Sequence, residues 1–213
     1  MCLGRLDSLS ALGIGVEQEQ VEAEAEDEED KKPPSRQNML LRGYFRRQYE
    51  SFAGDGVSMN RTFTERYVDR QIDHLLEQTE QRLAEMNRYV RQTCSDWQLL
   101  LEAPDDDSQR RTLKRTLEGL EDVADRLGDR LGPIFWGLNT KGELPPIPDP
   151  DDKGAAAALL GILKEEARAA TESVEKYLFK PSHIVSVESL RGDDILVRLY
   201  RVEKLAGGFR KKM

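Results

Sequence analysis

From Arg61 to Glu102 the chain contains neither proline nor glycine, and its apolar positions recur in alternating steps of four and three. Ile72, Leu76, Thr79, Leu83, Met86, Val90, Thr93, Trp97 and Leu100 fall on one unbroken heptad seam, the pattern of a helix that buries a single stripe. At 1.5 Å per residue such a helix is about 60 Å long. That exceeds the diameter of a small domain, so a partner helix must cover the stripe, supplied either by this chain or by a second copy. A homodimer is the expectation, with Ile72, Leu76, Leu83, Met86, Val90, Trp97 and Leu100 as its seam.

Two further helices follow in the same rhythm. Pro104 cannot continue the helical ladder, and the acids Asp105, Asp106 and Asp107 with Ser108 suit the N-terminus of the next helix, where a side-chain oxygen caps exposed N–H groups. That helix runs from about Ser108 to Leu131 through Leu113, Leu117, Leu120, Ala124 and Leu127. Gly132 and Pro133 end it. The stretch from Pro133 to Pro150 holds five prolines and reads as an irregular crossover anchored by Phe135 and Trp136. A third helix, roughly Ala155 to Leu178, carries Ala156, Leu160, Leu163, Ala167, Ala170, Val174 and Tyr177, and its small residues permit close helix packing.

After Lys180 and Pro181 the periodicity changes. HIVSVESL and ILVRLYRV are aliphatic and β-branched, separated by the turn-like RGDD, which predicts a terminal β-hairpin. A helix from Asp193 to Ala206, capped by Asp193 and ended by Gly207 and Gly208, is the alternative. The fold class expected is therefore mainly α: a long coiled-coil helix and shorter bundle helices over residues 60–180, and a small C-terminal β unit over 181–213.

Charge separates the remaining part. Up to Pro34 there are ten acids, nine of them between Glu17 and Asp30, against Arg5, Lys31 and Lys32, which makes −7 of the formal net charge of −8. The body is nearly neutral. A run reading EQEQVEAEAEDEED has too little apolar surface to offset its ordering entropy, so residues 1–59 are expected to form an acidic disordered head and a basic linker. The linker interleaves Arg36, Arg42, Arg46 and Arg47 with Tyr44, Phe45 and Tyr49. Such a pattern can track nucleic acid, but an amphipathic helix explains it better and nucleic acid is not an expected partner. The N-terminal segment, with Asp7 and polar interruptions, lacks the apolar core of an export signal. No apolar run approaches the ~20 residues of a membrane span, which leads to the expectation of a cytoplasmic protein without membrane contact.

Several chemistries are disfavoured. Cys2 and Cys94 have no pairing pattern. With His74 and His183 they give none of the short ligand pairs of a closed zinc site. Asp69, Asp73 and His74 lie close in sequence, yet no second helix supplies the histidine that a bridged metal pair in a bundle needs. A lone Gly13-x-Gly15 follows no strand. The best enzymatic reading is a magnesium-dependent, all-helical nucleotide pyrophosphatase built on Glu118, Glu121, Asp122 and Asp125 with Glu165 and Glu166. Charges at three- and four-residue spacing are more often the wet side of a helix. No catalytic residue, cofactor or metal is expected.

The order of elements and two local strings resemble the GrpE family of nucleotide exchange factors. AEMNRYVRQT is similar to the family's AEMENYRKRT at Ala84, Glu85, Met86, Tyr89, Arg91 and Thr93, and LEDVADRLGDRL is similar to LLPVLDNLERAL at Leu120, Val123, Asp125, Leu127 and Leu131. His183, Val187, Glu188, Ser189, Leu205, Gly207 and Arg210 are fainter counterparts in the terminal unit. The chain departs from the family at Arg88, where an Asn is usual, at Asp122, where a Pro is usual, and in a final strand shortened to Arg210, Lys211 and Lys212. The resemblance implies a homodimeric co-chaperone, no enzyme itself, that engages the ATPase domain of a DnaK-type chaperone and releases ADP by favouring the open nucleotide cleft. Its partner-binding residues would be Arg82, Arg88, Arg91, Arg198, Tyr200, Arg201 and Lys204. A non-enzymatic coiled-coil scaffold or adaptor is the competing reading.

Overall fold

The computed structural model describes residues 39–53, 61–135, 143–179 and 195–213. Five α-helices carry the fold: α1 (Met39–Ala53), α2 (Arg61–Glu102), α3 (Asp107–Leu131), α4 (Lys153–Val174) and α5 (Ile195–Lys212). A five-residue π-helical turn, Glu175–Phe179, extends α4. No strand occurs among the described residues. The acidic head, the Trp136 anchor, the first half of the expected hairpin (His183 to Leu190) and the Arg191-Gly192-Asp193 turn lie outside them.

The helix boundaries follow from local chemistry. The Asp106 carboxylate accepts hydrogen bonds from the backbone N–H groups of Ser108 and Gln109 and starts α3. Asp152 accepts from Ala155 N–H and starts α4. Both place an anion at the positive end of a helix, where free N–H groups need acceptors.

Helices α2 to α5 form a four-helix bundle in which each helix lies beside two others, in the order α2, α3, α5, α4. Cross-helix partners run in opposite directions along every neighbouring pair. On α2 and α3, Thr116 bonds Asp96, while Gly119, further along, faces Tyr89. On α3 and α5, Arg210 reaches Glu121 while Tyr200 shares a pocket with Gly128, and on α4 and α5, Arg201 reaches Glu166 while Lys212 shares one with Lys153. Asn87 of α2 donates to the Thr171 hydroxyl of α4 at 3.1 Å, while Leu100 shares a cavity with Lys153. Neighbours are therefore antiparallel, and α3 must be joined to α4 by a crossover running the length of the bundle. The proline-rich segment 143–152 is the described part of this connection that leads into α4. Its Ile147 side chain rests on Gly208 of α5, and the Lys212 ammonium donates to the Ile147 carbonyl.

The stripe of α2 is covered within the chain. Leu83, Met86, Val90, Trp97 and Leu100 are buried, Ile72 nearly so, and Leu76 packs partly buried on the same core. Helix α1 covers the portion of α2 that projects beyond the bundle, burying Leu41 and Phe45 in the same core as Val68 and Leu75. Arg42 bridges Glu65 at 3.1 Å and Asp69, and Arg46 holds Glu65 at 2.6 Å. The linker is thus an amphipathic helix at this point. All seven seam residues already have neighbours in one chain, so the long stripe does not by itself require a second copy.

The expected small C-terminal β unit is corrected over its described half: ILVRLYRV belongs to α5, which continues through Gly207 and Gly208 to Lys212. Ile195, Leu196, Leu199, Val202, Leu205, Ala206 and Phe209 are buried, a helical repeat longer than the eight-residue window that suggested a strand. Glycine within a helix costs about 1 kcal/mol relative to alanine, and here close packing offsets it. A methyl group on Gly207 would collide with the Glu121 carboxylate, and one on Gly208 with Ile147. Phe209 stands edge-on to Trp97, ring centroids 5.8 Å apart, and ties α5 to the far end of α2.

Candidate functional site

The first turns of α2 place Phe63, Arg66, Tyr67 and Arg70 at i, i+3, i+4 and i+7, one face of the helix. Tyr49 of α1 and Gln71 complete an open groove of about 390 Å³. The Tyr49 and Tyr67 rings lie 5.2 Å apart, tilted by 45°. Phe63 is 59% exposed, the most exposed large apolar side chain among the described residues. The acids of the same two turns, Glu65 and Asp69, face Arg42 and Arg46 of α1 instead. The groove therefore presents aromatic surface beside the Arg70 guanidinium, a combination that accepts carboxylates through paired N–H donors and ring faces through stacking. Sequence reasoning reached Tyr49 through the aromatic and basic linker but passed over Phe63, Arg66, Tyr67 and Arg70. The signal available was an exposed aromatic at a position where the seam had not yet begun.

The residues expected to bind a partner fall into two sets with different neighbours. On α2, Arg82 pairs with Glu85 at 2.8 Å, Arg88 lies 3.9 Å from Glu85 and 5.1 Å from the Tyr89 ring centre, and Arg91 is exposed. On α5, Arg198 and Arg201 close on Glu166 of α4 at 3.3 and 2.9 Å. Lys204 pairs with Glu203 and sits over the Tyr200 ring. The hydrogen bond from Lys204 to Glu203 holds the ammonium pKa above its ordinary value against a small desolvation cost. Much of the α5 set is thus engaged within the bundle, where its ion pairs fix α5 on α4.

The carboxylates of the magnesium reading are held mainly by arginines. Glu121 accepts from Arg210 at 2.9 Å, with Glu118 at 4.0 Å from the same guanidinium, and Asp122 accepts from Arg126 at 2.9 Å. Glu166 holds the two α5 arginines. Arg168 bridges Glu165 and Glu172; its hydrogen bond and charge hold the Glu165 pKa below the ordinary carboxylate value, and the same contacts raise that of the arginine. These last three groups are exposed, where such pairs contribute little to stability. Among the described residues no cluster of three or more His, Cys, Asp or Glu side chains has the arrangement of a metal site.

No helix among the described residues is long and apolar enough to cross a membrane. Comparison of the chain with protein families, curated proteins and solved structures returned no match.

Proposed function

We propose that this chain is a non-enzymatic helical adaptor that captures an acidic partner segment in the groove between α1 and α2. One observation carries the reading: Phe63 stands exposed beside the Tyr49 and Tyr67 rings and the Arg70 guanidinium. An acidic peptide with interspersed apolar residues matches both features, its carboxylates meeting arginine and its apolar side chains covering Phe63. A cytoplasmic location belongs to the same proposal, in keeping with the free thiol of half-buried Cys94.

The test is fluorescence anisotropy with a labelled peptide alternating glutamate and leucine. Saturable binding that weakens with salt and is lost in a Phe63→Ser, Arg70→Gln variant is the expected result. Equal binding by the variant, or binding of oligothymidylate but not of the peptide, would overturn it.

We also propose a second reading, because the two GrpE-like strings lie on neighbouring helices: the Tyr89 ring of the first lies against Gly119, one residue before the second begins. Exchange activity toward a DnaK-type chaperone would then have to use the helical α5 in place of a β unit, and a homodimer would have to form on a face other than the covered seam. Accelerated release of labelled ADP from such a chaperone would support this reading, and unchanged release at saturating protein would remove it.

A further inference from the structure

At the end of the bundle opposite the groove, α2, α3, α4, α5 and the returning crossover converge on a cavity of about 140 Å³. Trp97, Leu100 and Leu101 of α2, Pro104 and Pro150 supply apolar wall; Arg110 of α3, Lys153 of α4 and Lys212 of α5 supply three cations from three different helices. Two acids, Asp149 and Asp151, share the lining. One oxygen of Asp149 accepts from the Asp151 backbone N–H and shapes the turn before α4. Lys212 is engaged at the Ile147 carbonyl. Arg110 and Lys153 have no ion-pair partner among the described residues.

Trp97 is 5% exposed, and its indole N–H is buried with no acceptor among the described residues. A buried donor left without an acceptor is costly, and native interiors rarely tolerate it without a reason. The Trp97 side chain lines the cavity beside Leu100 and Leu101.

We propose that this cavity binds a small organic acid: a carboxylate head held by Arg110 and Lys153 and a compact apolar body, about the size of a benzene ring, against Trp97, Leu100 and Leu101. The volume sets an upper size: a closed apolar cavity of about 150 Å³ takes up benzene, and this open one, of about 140 Å³ with charged and apolar walls, has room for one ring with a polar head. The head follows from the two unpaired cations, because hydrogen bonds between charged groups are about twice as strong as neutral ones. The site stands apart from the groove and does not depend on its proposed use.

Phenylacetate is the probe, with phenylacetamide as its neutral counterpart. The chain has two tryptophans, so the indole N–H resonance of Trp97 is assigned in the nitrogen-15 spectrum by its persistence in Trp136→Phe. The expected result is a saturable shift of that resonance by phenylacetate in the full chain, about tenfold weaker or more for phenylacetamide and for the Arg110→Gln, Lys153→Gln variant. The variant's helical signal by circular dichroism should match that of the parent, since both replaced side chains are exposed. Equal binding of acid and amide, an unchanged midpoint in the variant, or no shift of the Trp97 resonance by phenylacetate would each overturn the proposal.

Discussion

The Thr116 hydroxyl of α3 donates to a carboxylate oxygen of Asp96 on α2 at 2.6 Å, and both side chains are buried. Gln92 donates to the other oxygen at 2.7 Å, so a charged group inside the α2–α3 interface keeps its acceptors satisfied and sets the register of the two helices. Thr116→Val keeps the shape and removes one donor. It should destabilise the fold by about 1–3 kcal/mol, the cost of leaving a buried acceptor unsatisfied. In a urea double-mutant cycle, Asp96→Leu with Thr116→Val should cost clearly less than the sum of the single changes. Additive costs would show that the bond does not couple the helices.

Two helix glycines should respond oppositely to the same change. A methyl group at Gly119 would stand 2.5 Å from the Tyr89 ring, whereas one at Gly161 meets nothing within 4 Å. Gly161→Ala should raise stability by up to about 1 kcal/mol through helix propensity alone. Gly119→Ala should lower it by about 1–3 kcal/mol, because Tyr89 must leave its place. Thermal melts of the two variants decide the matter; a stabilised Gly119→Ala would contradict the close packing of α3 on α2.

Helix α5 is open to direct test. Carbon-13 chemical shifts over residues 195–212 should be helical without interruption at Gly207 and Gly208. Phe209→Ala, which removes a fully buried ring from the edge of Trp97, should cost about 3–5 kcal/mol and shift tryptophan emission to the red. Extended shifts over 195–202 would restore the hairpin.

The covered seam predicts how its residues respond. Leu83→Ala and Val90→Ala should lower the stability measured in urea, the leucine change by about 2–5 kcal/mol, while the particle mass from light scattering stays that of the parent. A fall in mass on substitution would mean that two copies share the seam.

Groove and stability should separate cleanly. Phe63 is more than half exposed, so Phe63→Ser should change stability by no more than about 0.5 kcal/mol yet weaken acidic-peptide binding about tenfold or more. Raising salt should weaken the parent's binding further, since exposed charges are screened beyond about 8 Å at physiological ionic strength. Salt-independent binding would exclude Arg70 from the contact.

The three main helices were legible because their evidence is local. Apolar residues at steps of three and four, Asp106 as a cap, and Pro104 and Pro133 as breaks all act within a few residues of where they stand; the Asp152 cap that starts α4 was not read from the sequence. The α5 segment was misjudged for a related reason. Ile195, Val197 and Val202 favour a strand within an eight-residue window, while the helical stripe is complete only when Leu205, Ala206 and Phe209 are included. Glycines 207 and 208 looked like an end to a helix, and only Glu121 and Ile147, distant in sequence, show why glycine is needed inside one. Neither the groove nor the bundle-end cavity could be found from spacing, since Tyr49 meets Tyr67 across two helices and Arg110, Lys153 and Lys212 come together from three.

The sequence by itself determined that this chain makes long amphipathic helices, where most of them begin and end, and that nearly all of its net charge lies in the head. Tertiary structure alone decided which helix covers the α2 stripe. A heptad seam specifies that a partner must exist, because apolar surface must leave water, but it carries no address for that partner. Here α1, α3, α4 and α5 of the same chain supply it. Their antiparallel order then sends the crossover back along the bundle and gathers Trp97 and the cations at one end.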